Sequence, residues 1–181
     1  DDLRAAGRRG FIAIVHARIV DPESASLIED QTILVREERI VWTGPSELAP
    51  DHAGAFVIDA AGSFVASGIA DMHVHTTRMG QHVLRLAAGV TTTRDMVGDP
   101  WMLRMRDAIA ADRMIGATDY VMGTILAGRP LYGYAIVVPT EAEARAAVRQ
   151  QAACGYGAIK IHNNLPLPLL DAIADEARHV G

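Results

Sequence analysis

Gly68-Ile69-Ala70-Asp71-Met72-His73-Val74-His75-Thr76 opens on a short apolar run and closes on two histidines one residue apart. On a β-strand, residues two apart face the same side. His73 and His75 therefore project together, with Asp71 one step below. Two imidazoles on one face at the C-terminal end of a strand can hold one metal ion. Parallel α/β folds place their sites at that end of their strands. The lead-in Gly68-Ile69-Ala70 argues for a central strand, where buried imidazoles need a partner. An H-x-H pair alone is also what two polar residues near any strand end look like.

The pattern on either side of this stretch differs. Before it, Phe11 to Val20 is rich in Ile and Val and ends at the turn signal Asp21-Pro22. Thr32 to Val35 and Arg39 to Trp42 flank the charged turn Arg36-Glu37-Glu38, and Gly44-Pro45 breaks the chain. Phe56 to Ile58 and Ser63 to Val65 flank Ala60-Ala61-Gly62. Closely spaced strands with charged turns predict a small antiparallel β-module over residues 1–66.

After Gly68 the periodicity changes. Met79 to Ala88 has one apolar face (Val83, Leu84, Ala87), and Gly89 is placed to end it. Val90 to Thr93 is a β-branched run, and Pro100 to Met114 has helical spacing with Pro100 suited to the first turn. Tyr120 to Leu126 is a further apolar run, and Thr140-Glu141-Ala142-Glu143 fits a capping box opening a helix to about Cys154. Gly157 to Ile161 is a fourth strand candidate and Pro168 to His179 a fourth helix. Four alternations of strand and helix over residues 67–181 predict parallel strands covered by helices. Open sheets and barrels both satisfy this.

Bulk properties exclude several classes. The 181 residues are half apolar with a formal charge of -5, a pI near 5.8 and slightly positive mean hydropathy. This supports a packed core. Lys and Arg are scattered, apart from a tail at Arg4, Arg8 and Arg9, so no basic patch predicts nucleic-acid binding. The single cysteine excludes an internal disulfide and a cysteine-based zinc site, and Cys154 is expected to be a core thiol. No apolar run reaches the roughly 18 residues of a membrane span. Asp1 to Gly10 lacks the apolar stretch of a signal peptide. The expected location is cytoplasmic, or periplasmic or secreted if a leader was removed before Asp1.

Lys160 is the second chemical feature. It sits in the apolar run Ala158-Ile159-Lys160-Ile161. Burial lowers a lysine pKa toward the neutral amine, which can take up carbon dioxide as a carbamate and become an anionic oxygen ligand able to bridge two metals. A buried stem with its head paired to an acid such as Asp95 is the commoner cause of such placement. His162, two residues on, would face the same side as Lys160. It either lines a pocket or is a structural strand-end histidine. Asp95 could touch the site, orient a ligand histidine or pair with Arg94, and a structural or supporting role is favoured. Arg129, Tyr132 and Tyr134 follow the third strand on a loop at the active end, where they could contact substrate or simply pack. The seven methionines read as core fillers. No G-x-S-x-G elbow, P-loop or dinucleotide fingerprint is present.

Together these segments resemble the amidohydrolase superfamily, with imidazolonepropionase-like and Xaa-Pro-dipeptidase-like members nearest in pattern. Val57-Ile58-Asp59-Ala60-Ala61-Gly62 followed by Gly68 to Thr76 looks like the family's entry into its first barrel strand. Ala88-Gly89-Val90-Thr91-Thr92-Thr93-Arg94-Asp95 looks like the second strand, and Gly155-Tyr156-Gly157-Ala158-Ile159-Lys160-Ile161 like the fourth with its metal-bridging lysine. The resemblance implies an α/β fold: the first half of a (β/α)8 TIM-type barrel, residues 67–181, preceded by part of a composite β-sandwich, residues 1–66. It implies two divalent metals, expected to be zinc, held by His73, His75 and carbamylated Lys160. In the family the metals share a hydroxide that attacks an amide, peptide, lactam or ester carbonyl of a small substrate.

A full barrel needs about 250 residues, and residues 67–181 have room for four βα units. The family's later histidine ligands, and the aspartate that acts as general acid/base, would lie beyond Gly181. No catalytic residue is therefore expected within this chain, which alone should be inactive. Self-association or a partner chain would complete the barrel. Ser67 stands where the family usually has proline. Two other readings stay open: a non-catalytic fragment or assembly module keeping the fold, and a mononuclear deaminase-type site with Lys160 unmodified. No membrane partner is expected.

Overall fold

The computed structural model describes residues 10–131 and 135–181. The chain divides into two compact units, Asp1–Ser67 and Gly68–Gly181.

In the first unit, β1 (Phe11–Asp21), β2 (Ser26–Arg36), β3 (Arg39–Pro45), β4 (Phe56–Asp59) and β5 (Phe64–Val65) form one sheet. Its order is β3-β2-β1-β4, with β5 also on β1. Two hairpins account for the antiparallel half. Glu37 and Glu38, the two residues between β2 and β3, have φ of 48° and 66°. Two left-handed residues match the twist of a two-residue hairpin, although Asn or Gly is the usual choice there. The expected antiparallel module needs correction, because β4 and β5 run parallel to β1. β1 has 11 residues, so β4 pairs along Ile12–Val15 while β5 pairs at Arg18 and Ile19.

β1 and β2 also carry compensating register shifts on either side of Ala17. His16 (φ 53°) and Asp30 (φ 45°) are the left-handed residues there, and their side chains meet, Nδ1 to Oδ1, at 3.0 Å. An extra residue in one strand rotates every later side chain to the wrong face unless the other strand matches it. Ala13, Ala17, Ile33 and Leu34 are buried along this strand pair.

In the second unit, β6 (Ile69–Val74), β7 (Val90–Asp95) and β8 (Thr118–Val121) form a parallel sheet in that order. Helices α1 (Gly80–Ala87) and α2 (Pro100–Ala110) make the crossovers. β9 (Ile125–Ala127) pairs in parallel with β10 (Ala135–Val137), followed by α3 (Glu141–Ala153) and α4 (Leu167–Val180). Local chemistry sets the helix starts. Asp99 accepts from Trp101 N ahead of Pro100, and Thr140 accepts from Glu143 N, as the capping pattern predicts. Gly89, at φ 84°, turns the chain after α1.

The single third strand expected over Tyr120 to Leu126 is two strands, parted at Met122–Thr124. Gly123 lies against the side chain of Gln151, whose Nε2 donates to Thr124 O at 2.8 Å, and Gly123 N donates to Ala158 O. The ladder thus passes from β7, on β8, to the segment around Lys160, on β9. The expected fourth strand, Gly157 to Ile161, is reduced to a parallel bridge between Ile161 and Leu126. Cys154 is also corrected: it is exposed, as the C-cap of α3 beyond the last buried position, Gln151.

Leu126, Val138, Ala144, Ala147, Val148 and Ile173 form one buried cluster joining β9, α3 and α4. Arg145 to Asp175 and Glu176, and Arg149 to Glu176, bridge the two helices at their surface. Such exposed pairs contribute far less than the apolar contacts beneath. No helix among the described residues is long and apolar enough to cross a membrane.

Truncating Leu126 to alanine should lower unfolding stability by about 2–5 kcal/mol, read from the urea midpoint, because Leu126 is fully buried. A second expectation concerns pH. The hydrogen bond to Asp30 raises the His16 pKa, and the same contact lowers that of Asp30. Its contribution is full below the ordinary histidine pKa and is lost as pH rises through the raised value. On the acid side it is lost as pH falls through the lowered Asp30 value. An NMR titration should show the His16 pKa dropping in Asp30→Asn, and an unchanged midpoint would refute the coupling.

Candidate metal centre

β6 ends in Val74, and two further residues continue its alternation. His73 and His75 are exposed on one side, whereas Val74 and Thr76 are buried on the other. The two rings stack with centroids 5.3 Å apart and planes at 22°, and the Nε2 atoms lie 3.3 Å apart. Two nitrogens each 2.0–2.1 Å from one tetrahedral ion are separated by about 3.3–3.4 Å. The pair thus has the spacing of two ligands on a single cation. Asp71 lies two residues back, and its Oδ1 accepts from His73 N at 3.2 Å, holding the backbone that carries the first imidazole. One expectation is corrected. Among the described residues β6 is an edge strand, so its imidazoles are open to solvent rather than buried.

The opposite face of the same strands is closed by α1. Asp95, fully buried, accepts from Thr76 N at 3.0 Å through Oδ2 and from Val97 N at 3.3 Å through Oδ1. Arg85 donates to Thr76 Oγ1 at 2.7 Å. Thr93 Oγ1 donates to Asp119 Oδ1 at 2.8 Å, and His82 Nε2 lies 3.6 Å from Asp119 Oδ2. Burial pushes His82 down and Asp119 up, each toward its neutral form. Sequence reasoning missed His82 and Asp119. Neither belongs to a ligand-spaced motif in the sequence, and only the spatial meeting of α1 with β8 marks them.

No family model matches the sequence. A stretch of 88 residues is 36% identical to imidazolonepropionase of Streptomyces griseus subsp. griseus, covering 48% of this chain and 20% of that protein. A stretch of 51 residues is 45% identical to 5-methylthioadenosine/S-adenosylhomocysteine deaminase of Symbiobacterium thermophilum, covering 28% of this chain and 12% of that protein. The fold superimposes on a provisional prolidase from Bifidobacterium longum with a TM-score of 0.83 and 28% identity, over 95% of this chain and 48% of that one. These stretches make the chain similar to imidazolonepropionases in sequence and to a prolidase in fold. The chain spans about half the length of that solved relative. Bottromycin amidohydrolase, at 20% identity and a TM-score of 0.77, shares the fold.

Within this amidohydrolase-like chain, the remaining expected site residues fall as follows. Lys160 is half-buried rather than enclosed, and its carbonyl accepts from Leu126 N at 2.8 Å. Neither it nor Arg94 pairs with Asp95, whose oxygens serve backbone amides. Arg94 Nε instead donates to Met72 O at 2.8 Å. His162 N donates to Leu126 O, while its Nδ1 is buried without a hydrogen-bond partner. Arg129 is exposed on the loop after β9. Tyr132 and Tyr134 lie outside the described residues.

Asp95 is the point of support for this strand end. Asp95→Ala should leave the Thr76 and Val97 amides unpaired, lowering stability by about 1–3 kcal/mol and speeding hydrogen exchange at those two amides. Exchange unchanged from the parent would show that Asp95 does not hold the strand end.

Proposed function

We propose that this chain is the metal-binding part of a metal-dependent hydrolase that cleaves a C–N bond of a small amide, peptide or lactam. The observation that carries this is the His73–His75 pair, two imidazoles at ligand spacing on one face of a parallel strand's C-terminal end. The amidohydrolase likeness supports it, since the imidazolonepropionase, deaminase and prolidase names all denote hydrolases. The four strand–helix repeats of residues 67–181 are then the first four βα units of a (β/α)8 barrel, and residues 1–66 are part of a β-sandwich.

His73 and His75 would hold the metal, and Lys160, as its carbamate, would join two divalent ions, zinc by expectation. Such ions lower the pKa of a bound water and polarise the scissile carbonyl. The chain's own groups prepare this. Asp71 fixes the His73 backbone, Asp95 fixes the residue after His75, and Arg129, Tyr132 and Tyr134 would contact substrate. A second copy or another chain would cover the open face of β6. The deaminase likeness favours a second reading, one metal with Lys160 unmodified.

Metal analysis after zinc loading tests the proposal. His73→Ala, His75→Ala and the double variant should each bind less zinc than the parent. Carbon-13-labelled bicarbonate should give a carbamate signal that Lys160→Ala removes. Unchanged zinc content in the double variant would overturn the site. Zinc loss without any carbamate signal would favour the one-metal reading.

A further inference from the structure

The layer between the strands and α1 contains a second set of ligand-type side chains, on the face away from His73 and His75. His82 comes from α1, Asp95 from the end of β7 and Asp119 from β8. We propose that His82 Nε2, Asp119 Oδ2 and a carboxylate oxygen of Asp95 form a buried structural site for one divalent cation of the zinc class.

Four observations carry it. One ligand atom from each residue lies within 4.8 Å of those of the other two, and all three residues are buried. The side chains of His82 and Asp119 have no solvent exposure. Their facing atoms, His82 Nε2 and Asp119 Oδ2, have no hydrogen-bond partner. A native interior rarely leaves such atoms unserved. The separation of 3.6 Å between those facing atoms is too long for a hydrogen bond. It is close to the spacing of about 3.3–3.4 Å expected between two ligands on one tetrahedral ion.

Charge points the same way. Asp95 and Asp119 bring two carboxyl groups, and the Arg85 guanidinium, bonded to Thr76 Oγ1, also bears on His82 and Asp119. Burial favours the neutral form of Asp119 when nothing is bound, and a cation held between it and His82 would instead favour its carboxylate. An imidazole with carboxylates suits zinc, cobalt or nickel rather than magnesium or calcium. Thr93 orients Asp119 through Oδ1, and the Thr76 and Val97 amides orient Asp95, which is the outer support that ligands usually have. Because the three ligands join a helix to two strands, the ion would tie α1 to the sheet.

The experiment uses the full chain carrying His73→Ala and His75→Ala, stripped with chelator and reloaded with zinc. One equivalent should remain bound after desalting, and X-ray absorption at the zinc edge should show a single imidazole with oxygen ligands. Adding Asp119→Asn should weaken zinc binding at least tenfold and abolish the rise in Tm that zinc gives. A double variant that binds no zinc, or a zinc shell with two or more imidazoles, would overturn the site. So would binding that Asp119→Asn leaves unchanged, since a proton held between His82 and Asp119 would then account for the pair. If Asp119→Asn does not fold, the absorption spectrum of the double variant decides alone. Failure of the rim site reads differently: the double variant would then bind as much zinc as the parent.

Discussion

The alternation of side chains along Ile69–Val74 and the two residues that follow governs both chemical regions of the second unit. One parity sends His73 and His75 outward, and the other sends Val74 and Thr76 beneath α1. A slip of one residue would bury two imidazoles and expose a threonine whose amide and hydroxyl are both engaged. Register here is therefore held by polar contacts as well as by apolar burial. Asp95 is the anchor, a single carboxylate that serves the amide after the second histidine and the amide two residues beyond itself.

That anchor explains how an exposed pair of histidines can be held in place at the edge of a sheet. Side chains at an edge have few neighbours, and two free imidazoles would sample several rotamers. Here the backbone beneath them is pinned from both sides, by Asp71 at His73 N and by Asp95 at Thr76 N. Order in the rings is thus inherited from order in the main chain, which suits a site that must meet solvent and substrate.

Much of this was legible in the sequence, for identifiable reasons. Strand periodicity placed His73 and His75 on one face, the capping pattern at Thr140 located the start of α3, and the charged turn at Glu37-Glu38 located a hairpin. Other features depended on contacts between distant segments. The apolar run Tyr120 to Leu126 reads as one strand because nothing local shows that Gln151 reaches Gly123 and parts it. The pairing of β4 and β5 with β1 is parallel, and hydrophobic alternation carries no sign of strand direction. Cys154 was expected inside on the habit of its residue type, whereas its place past the last buried turn of α3 leaves it outside. His82 and Asp119, 37 residues apart, had no shared pattern to betray them.

The gap between β8 and β9 has a consequence for how this chain can drift in evolution. A β-carbon at position 123 would run into the Gln151 side chain, which itself is committed to the Thr124 carbonyl. Each change has a cost while the other residue stays: a larger residue at 123 displaces the Gln151 side chain, and a shorter one at 151 leaves the partly buried Thr124 carbonyl without this donor. The two positions are therefore coupled, a larger residue at 123 being better tolerated once 151 is shorter. The bend that lets one segment of backbone serve two neighbours is for that reason more durable than the loops on either side of it.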